Sequence, residues 1–154
     1  MTGYHHTQRS PICLLVYATA VAFVVSAWSM REMPYAAIGF LCGAVLMTVL
    51  AAAFHHLTVS DESDRLVIRF GPVPIFARTV PYDTIVSAEV TRTMLIDGWG
   101  IHYSARGGWV WNLWGFDCVL LHLEKGKLYI GTNDAEALCR FVQQRIEEGQ
   151  TPER

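Results

Sequence analysis

At 154 residues the chain has the length of one ordinary domain, yet a mean hydropathy of +0.26 with only 17% charged residues excludes a typical soluble composition. The formal net charge is −2, and residues 57–154 carry ten Lys/Arg against thirteen Asp/Glu, so there is no basic field for a polyanion and nucleic-acid binding is not expected. The four cysteines, Cys13, Cys42, Cys118 and Cys139, show no CxxC or Cys/His ligand spacing and read as free thiols in a reducing compartment.

The apolar excess lies before His55, where the charged residues are Arg9, Arg31 and Glu32. Two uncharged apolar runs, about 12–30 and 35–54, each approach the roughly 20 residues a helix needs to cross the hydrocarbon of a bilayer. Four residues, Arg31 to Pro34, separate them, which predicts an antiparallel transmembrane hairpin with Pro34 suited to a helix start. Ala18, Ala22 and Ser26 in the first run and Gly39 and Gly43 in the second recur at small-xxx-small spacing. Folding the hairpin symmetrically sets Ser26 against Gly39 and Ala22 against Gly43, so these five residues are expected to pack the helices together. The competing expectation turns the Gly39/Gly43 face outward, for a homo-oligomer.

Arg9 before the hairpin and Arg65 and Arg69 after it outweigh Arg31 in the loop, which places both termini in the cytoplasm of a multi-pass inner-membrane protein. Val25-Ser26-Ala27 also has the small-residue pattern of a signal-peptide cleavage site; cleavage there would still leave the remainder cytoplasmic.

Past Leu57 the pattern changes to short alternating runs bounded by turn residues. Strands are predicted at 57–60, 66–70, 77–80, 85–92, 100–104, 119–124 and 128–131. The clearest alternations, Leu66/Ile68/Phe70, Val86/Ala88/Val90 and Val119/Leu121/Leu123, each put apolar side chains on one sheet face. Asp61-Glu62-Ser63-Asp64, Gly71-Pro72 and Lys125-Gly126 are the turns, and Arg106-Gly107-Gly108 reads as a hairpin tip between Tyr103 and Trp109. A final helix is expected, capped by Asn133 with Glu136 completing a capping box, and with Ala135, Leu138, Val142 and Ile146 plus Phe141 as its apolar stripe. The organisation is therefore a tail and two-helix anchor over 1–56, a mainly antiparallel β domain over 57–148 and a short tail over 149–154.

Gly98-Trp99-Gly100-Ile101, Asn112-Leu113-Trp114-Gly115-Phe116-Asp117 and Ile130-Gly131-Thr132-Asn133-Asp134, with the Lys125-Gly126-Lys127 turn between them, resemble the bacterial pleckstrin-homology-like membrane proteins. The resemblance spans most of the chain. It implies a membrane-anchored α+β fold, namely a two-helix hairpin followed by a pleckstrin-homology-like β barrel with a C-terminal helix. Such barrels serve protein binding, lipid binding or scaffolding, so the resemblance does not assign an activity. The chain departs from phosphoinositide-binding members at the first hairpin, which here is the acidic Asp61-Glu62-Ser63-Asp64.

Trp99, Trp109, Trp111 and Trp114 cluster in one window with Tyr103 and Phe116. One reading divides the rings between the core and the membrane surface, and the other makes them an exposed site for a protein partner, since Trp and Tyr dominate binding hot spots. With Arg106 they form the candidate binding set. His5/His6 and His55/His56 bracket the hairpin with no carboxylate beside them, and His102 and His122 have no Ser or Cys nucleophile with a recognisable elbow, so neither metal, cofactor nor catalytic residue is expected. The sequence thus predicts a non-enzymatic module for protein binding or assembly at the membrane surface. The alternatives are a lipid-head-group or membrane-surface sensor, with Arg106 and the aromatics dipping into the interface, and an accessory subunit of a transporter or enzyme.

Overall fold

The computed structural model describes residues 3–72, 75–94 and 98–150. It opens on a strand, β1 (His5–Arg9), that precedes the hairpin. Helices α1 (Ile12–Ser29) and α2 (Pro34–Ala53) follow, and both are long and apolar enough to cross a membrane. Only 17% of each span is buried within the protein, and Leu14, Leu15, Val21, Val25, Ile38 and Val45 are openly exposed. A core helix of a soluble domain would bury such side chains; here both helices keep an apolar girdle that water would penalise.

The two helices meet along a seam of small residues, though not the five expected. The buried positions that recur every seven residues are Cys13, Ala20 and Ala27 on α1 and Ala44 and Ala51 on α2, while Ala53, also buried, lies against Gly71. Ala18, Ala22 and Gly39 point outward, with open space around Gly39, while Ser26 and Gly43 flank the seam. A methyl group on Gly43 would lie 3.0 Å from the Phe23 ring, so a large side chain rather than a neighbouring backbone occupies that space. At 3.6 residues per turn an i+4 ladder drifts around the helix, whereas a seven-residue repeat stays on one seam.

After α2 come β2 (His56–Asp61), β3 (Arg65–Phe70), β4 (Ala77–Pro81), a 3-10 turn at Tyr82–Thr84, β5 (Ile85–Arg92), β6 (Gly100–Tyr103), β7 (Trp109–Asn112), β8 (Asp117–Leu123), β9 (Gly126–Gly131) and helix α3 (Ala135–Gln150). They form a four-stranded sheet in the order β1-β2-β3-β4 and a five-stranded sheet in the order β5-β8-β9-β7-β6. All ladders are antiparallel except β7 with β9. The expected closed barrel is not formed: the two sheets share no ladder among the described residues. β1 extends the first sheet beyond β2, and β7 enters the second in parallel to β9, which leaves β6 as an edge facing β4 without pairing to it.

The segment expected as an N-terminal tail is thus part of the sheet. Its register sets His5 opposite Ser60 and Arg9 opposite His56, with a hydroxyl contact of 2.9 Å between Thr7 and Thr58. Because β1 and β2 flank the hairpin and pair with each other, the ladder fastens its two open ends together.

The main core fills the space between the sheets with Leu57, Leu66, Ile68, Phe70, Trp111, Val119, Leu121, Leu128 and Ile130, closed by Leu138 and Val142 of α3. Val86 does not share the expected core face with Ala88, whereas Val90, opposite the buried Val119, keeps that face but lies exposed at its margin. A register shift between Ile85 and Ser87 turns Val86 outward, and Val90 stands on an edge strand beside Glu136 and Cys139 of α3. The cap of α3 also moves by one residue: the Asp134 carbonyl accepts the first helical bond, from Leu138 N–H, while Asn133 Oδ1 lies 2.6 Å from His6 Nε2.

Candidate functional site

The sheet docks on the helix ends through a short list of contacts. Phe54, the residue after α2, lies 5.2 Å edge-on from Phe70 and stacks at 5.6 Å on Phe76. Gly71 N–H donates to the His56 carbonyl, and Gly71 adopts φ +65° directly over the last α2 carbonyls, where a Cβ would run into Ala52 and Ala53 oxygens. Nearby, burial holds the His56 imidazole below its ordinary pKa, with His55 and Arg9 adding to the shift.

The distant motif elements meet at one carbonyl. Gly115 O accepts from Asn112 Nδ2 at 2.9 Å and from Trp99 Nε1 at 3.2 Å, and the adjacent Trp114 carbonyl accepts from the buried Gln8 side chain at 2.8 Å. Asn112 is fully buried, and Gly131 passes so close to it that a side chain there would overlap its Oδ1. Asn-x-x-Gly and Gly-Trp-Gly are therefore two halves of one node that ties β1, β6 and the β7–β8 turn together.

The four tryptophans of the candidate binding set separate into three environments. Trp111 is only 8% exposed and packs 5.7 Å from Phe70, so it belongs to the core. Trp99 and Trp114 form a pair at 4.7 Å, part-exposed, beside a cleft of about 390 Å³ that Trp99 and Leu113 share with Cys13, Val16, Met47 and Leu50 of the helix ends. Trp109 packs T-shaped against Tyr103 at 5.9 Å, and both are exposed, at 43% and 65%. This second pair lies at the far end of β6, roughly 10 Å along the strand from Gly100 at about 3.3 Å per residue.

Arg106 has a structural occupation. Its guanidinium donates to the Arg92 carbonyl at 3.1 Å and covers the Tyr129 ring at 5.2 Å, over a small second cluster of Val110, Cys118, Leu120 and Tyr129 on the outer face of the sheet. The hairpin tip that carries it lies beyond Tyr103 and Trp109, turned away from the helix ends, which is the wrong place for an arginine expected to dip into a membrane.

The histidines do not converge. His6 is engaged by Asn133 and lies 3.9 Å from Asp134, His55 and His56 touch each other at 3.2 Å, and His122 pairs with Glu89 at 3.1 Å. No group of three or more His, Cys, Asp or Glu side chains positioned for a metal occurs among the described residues.

Sequence reasoning missed the ion pair between Arg145 and the buried Asp61, 2.6 Å apart, which joins α3 to β2. Tyr82 donates to the same carboxylate at 2.9 Å, and Arg145 lies over both the Tyr82 and Phe141 rings. It also missed Arg78, half-buried against Ile75, Phe76, Trp109 and Trp111. Neither residue stands in a motif, so only the spatial arrangement shows them. Compared with known proteins, the chain matches no family model and no curated sequence.

Proposed function

We propose that the chain is a non-enzymatic, pleckstrin-homology-like module anchored in a bacterial inner membrane by α1 and α2, docking a partner protein at the cytoplasmic surface. The exposed Tyr103–Trp109 pair carries this reading. Two large rings held rigidly against each other by adjacent strands offer apolar area with little side-chain entropy left to lose, which is the character of a binding hot spot. Tyr103 stands at the end of β6 away from Gly100 and the helix ends, which favours a protein in the aqueous phase, while Trp109 also walls the groove beside β4. Co-purification and crosslinking from native membranes test it: a Tyr103→Ala/Trp109→Ala variant that stays folded by circular dichroism is expected to lose a partner that the wild type retains. An unchanged set of crosslinked proteins would reject it.

A second reading, contact with the membrane surface, is favoured by the Trp99–Trp114 pair. These rings sit beside the helix ends, where tryptophan is preferred at the level of lipid head groups. The two readings concern opposite ends of β6 and are compatible.

A further inference from the structure

The unpaired edges of β4 and β6 leave a groove between the sheets, about 350 Å³, lined by Ile75, Phe76, Arg78, Ile101, Trp109 and Trp111. Arg78 is the one cation among the described residues of this lining. It makes no hydrogen bond and no ion pair with any described residue, although most arginines of the domain, including Arg65, Arg69, Arg92 and Arg145, each hold a carboxylate. Burial alone pulls its guanidinium below the ordinary pKa, with no opposing anion to restore it. A half-buried, uncompensated guanidinium among aromatic walls is costly in isolation and calls for an anion with several acceptor oxygens. Trp111, whose buried indole Nε1 has no partner among the described residues, also lines the groove.

The height of the groove selects the anion. The 20 residues of α2 extend about 30 Å at 1.5 Å per residue, which matches the hydrocarbon thickness. Phe54, immediately after it, therefore marks the edge of the acyl region, and Phe76 stacks directly on Phe54. Arg78 is two residues further along β4, roughly 7 Å at about 3.3 Å per residue, which is the depth of lipid phosphates. Ile75 is exposed at the mouth of the groove.

We propose that this groove seats the head group of a phospholipid from the leaflet on the domain's side, with Arg78 paired to the phosphodiester. The site goes beyond the protein-docking reading and depends only on the membrane part of it. It lies apart from the acidic first hairpin and from Arg106.

Native mass spectrometry of the full chain, delipidated in mild detergent and titrated with phosphatidylglycerol or with diacylglycerol, tests the proposal. Wild type is expected to retain phosphatidylglycerol but not diacylglycerol. Arg78→Gln is expected to weaken retention about tenfold, as loss of a charge-assisted pair would, with Arg78→Lys falling between. The Tyr103→Ala/Trp109→Ala variant, which tests protein docking, carries Trp109 of the groove wall, so Tyr103→Ala alone serves as the control and should retain lipid. Equal retention by wild type and a folded Arg78→Gln, or equal retention of diacylglycerol, would overturn the site whether or not a protein partner is found. Displacement of the lipid by a soluble acidic peptide at lower concentration would do so too, reassigning the groove to a polypeptide.

Discussion

Asn112 illustrates how much a single polar side chain fixes here. Its amide donates to Gly115 O from a fully buried position, and its loss leaves that carbonyl with Trp99 as its remaining side-chain donor among the described residues. Asn112→Ala is expected to lower stability by about 1–3 kcal/mol, read as a shift in denaturant midpoint with little change in slope. Tyr82 gives a pH dependence. Burial first, and then the Asp61 carboxylate that its hydroxyl contacts, raise its pKa well above the ordinary 10.0. The unfolded chain therefore loses this proton before the folded one does. The contribution of Tyr82 is whole below pH 10 and declines as pH rises past it, and Tyr82→Phe should flatten that alkaline decline in melting experiments. An unchanged slope would show that other groups set it.

Among the elements, the joint between α2 and β3 has the least tolerance. Gly71 combines a left-handed backbone with direct contact against the Ala52 and Ala53 carbonyls, so Gly71→Ala must both strain the turn and push the sheet off the helix. A loss of more than about 2 kcal/mol is expected, whereas Gly149→Ala in the open last turn of α3 should be neutral or stabilising by up to about 1 kcal/mol. Removal of residues 1–9 should expose the β2 edge and the apolar core beneath it, and the truncated protein is expected to aggregate or elute as larger species on size exclusion.

The elements also show what was legible in the chain. The two apolar helices follow from uncharged length, the turns from their residue types and the stripe of α3 from periodicity, and the elements are found where these signals place them. β1 left no such trace, because His-His-Thr-Gln-Arg has no apolar alternation and acquires its conformation from β2. Within β5 only Val86 departs from the expected face, because a register shift between Ile85 and Ser87 interrupts the two-residue repeat there. The tryptophans were visible as a cluster, but neighbouring residues on a strand face opposite sides and the ends of one hairpin lie at different heights. Spacing alone could not sort Trp111 into the core, Trp99 and Trp114 to the helix ends and Trp109 to the outer rim.

At the scale of the molecule, the helices and sheets form a continuous mechanical unit. α2 passes into β2 without a linker, β1 returns to the same sheet, and Phe54 inserts its ring between Phe70 and Phe76. A domain so joined has a fixed orientation relative to its helices, unlike one on a flexible tether. That rigidity gives Arg78, Trp99 and Trp109 defined positions relative to the helix ends, on which both the docking and the lipid proposals draw.

All of this rests on α1 and α2 crossing a bilayer with the sheets on one side. Single-cysteine labelling in sealed inverted membrane vesicles tests it most directly, with Glu32→Cys in the turn between the helices, and Thr7→Cys and Glu124→Cys in the sheets, in a background lacking the four native cysteines. The expected result is labelling of Thr7→Cys and Glu124→Cys by an impermeant maleimide, with Glu32→Cys protected until detergent is added. Equal labelling of all three without detergent, together with release of the protein by alkaline carbonate, would contradict it.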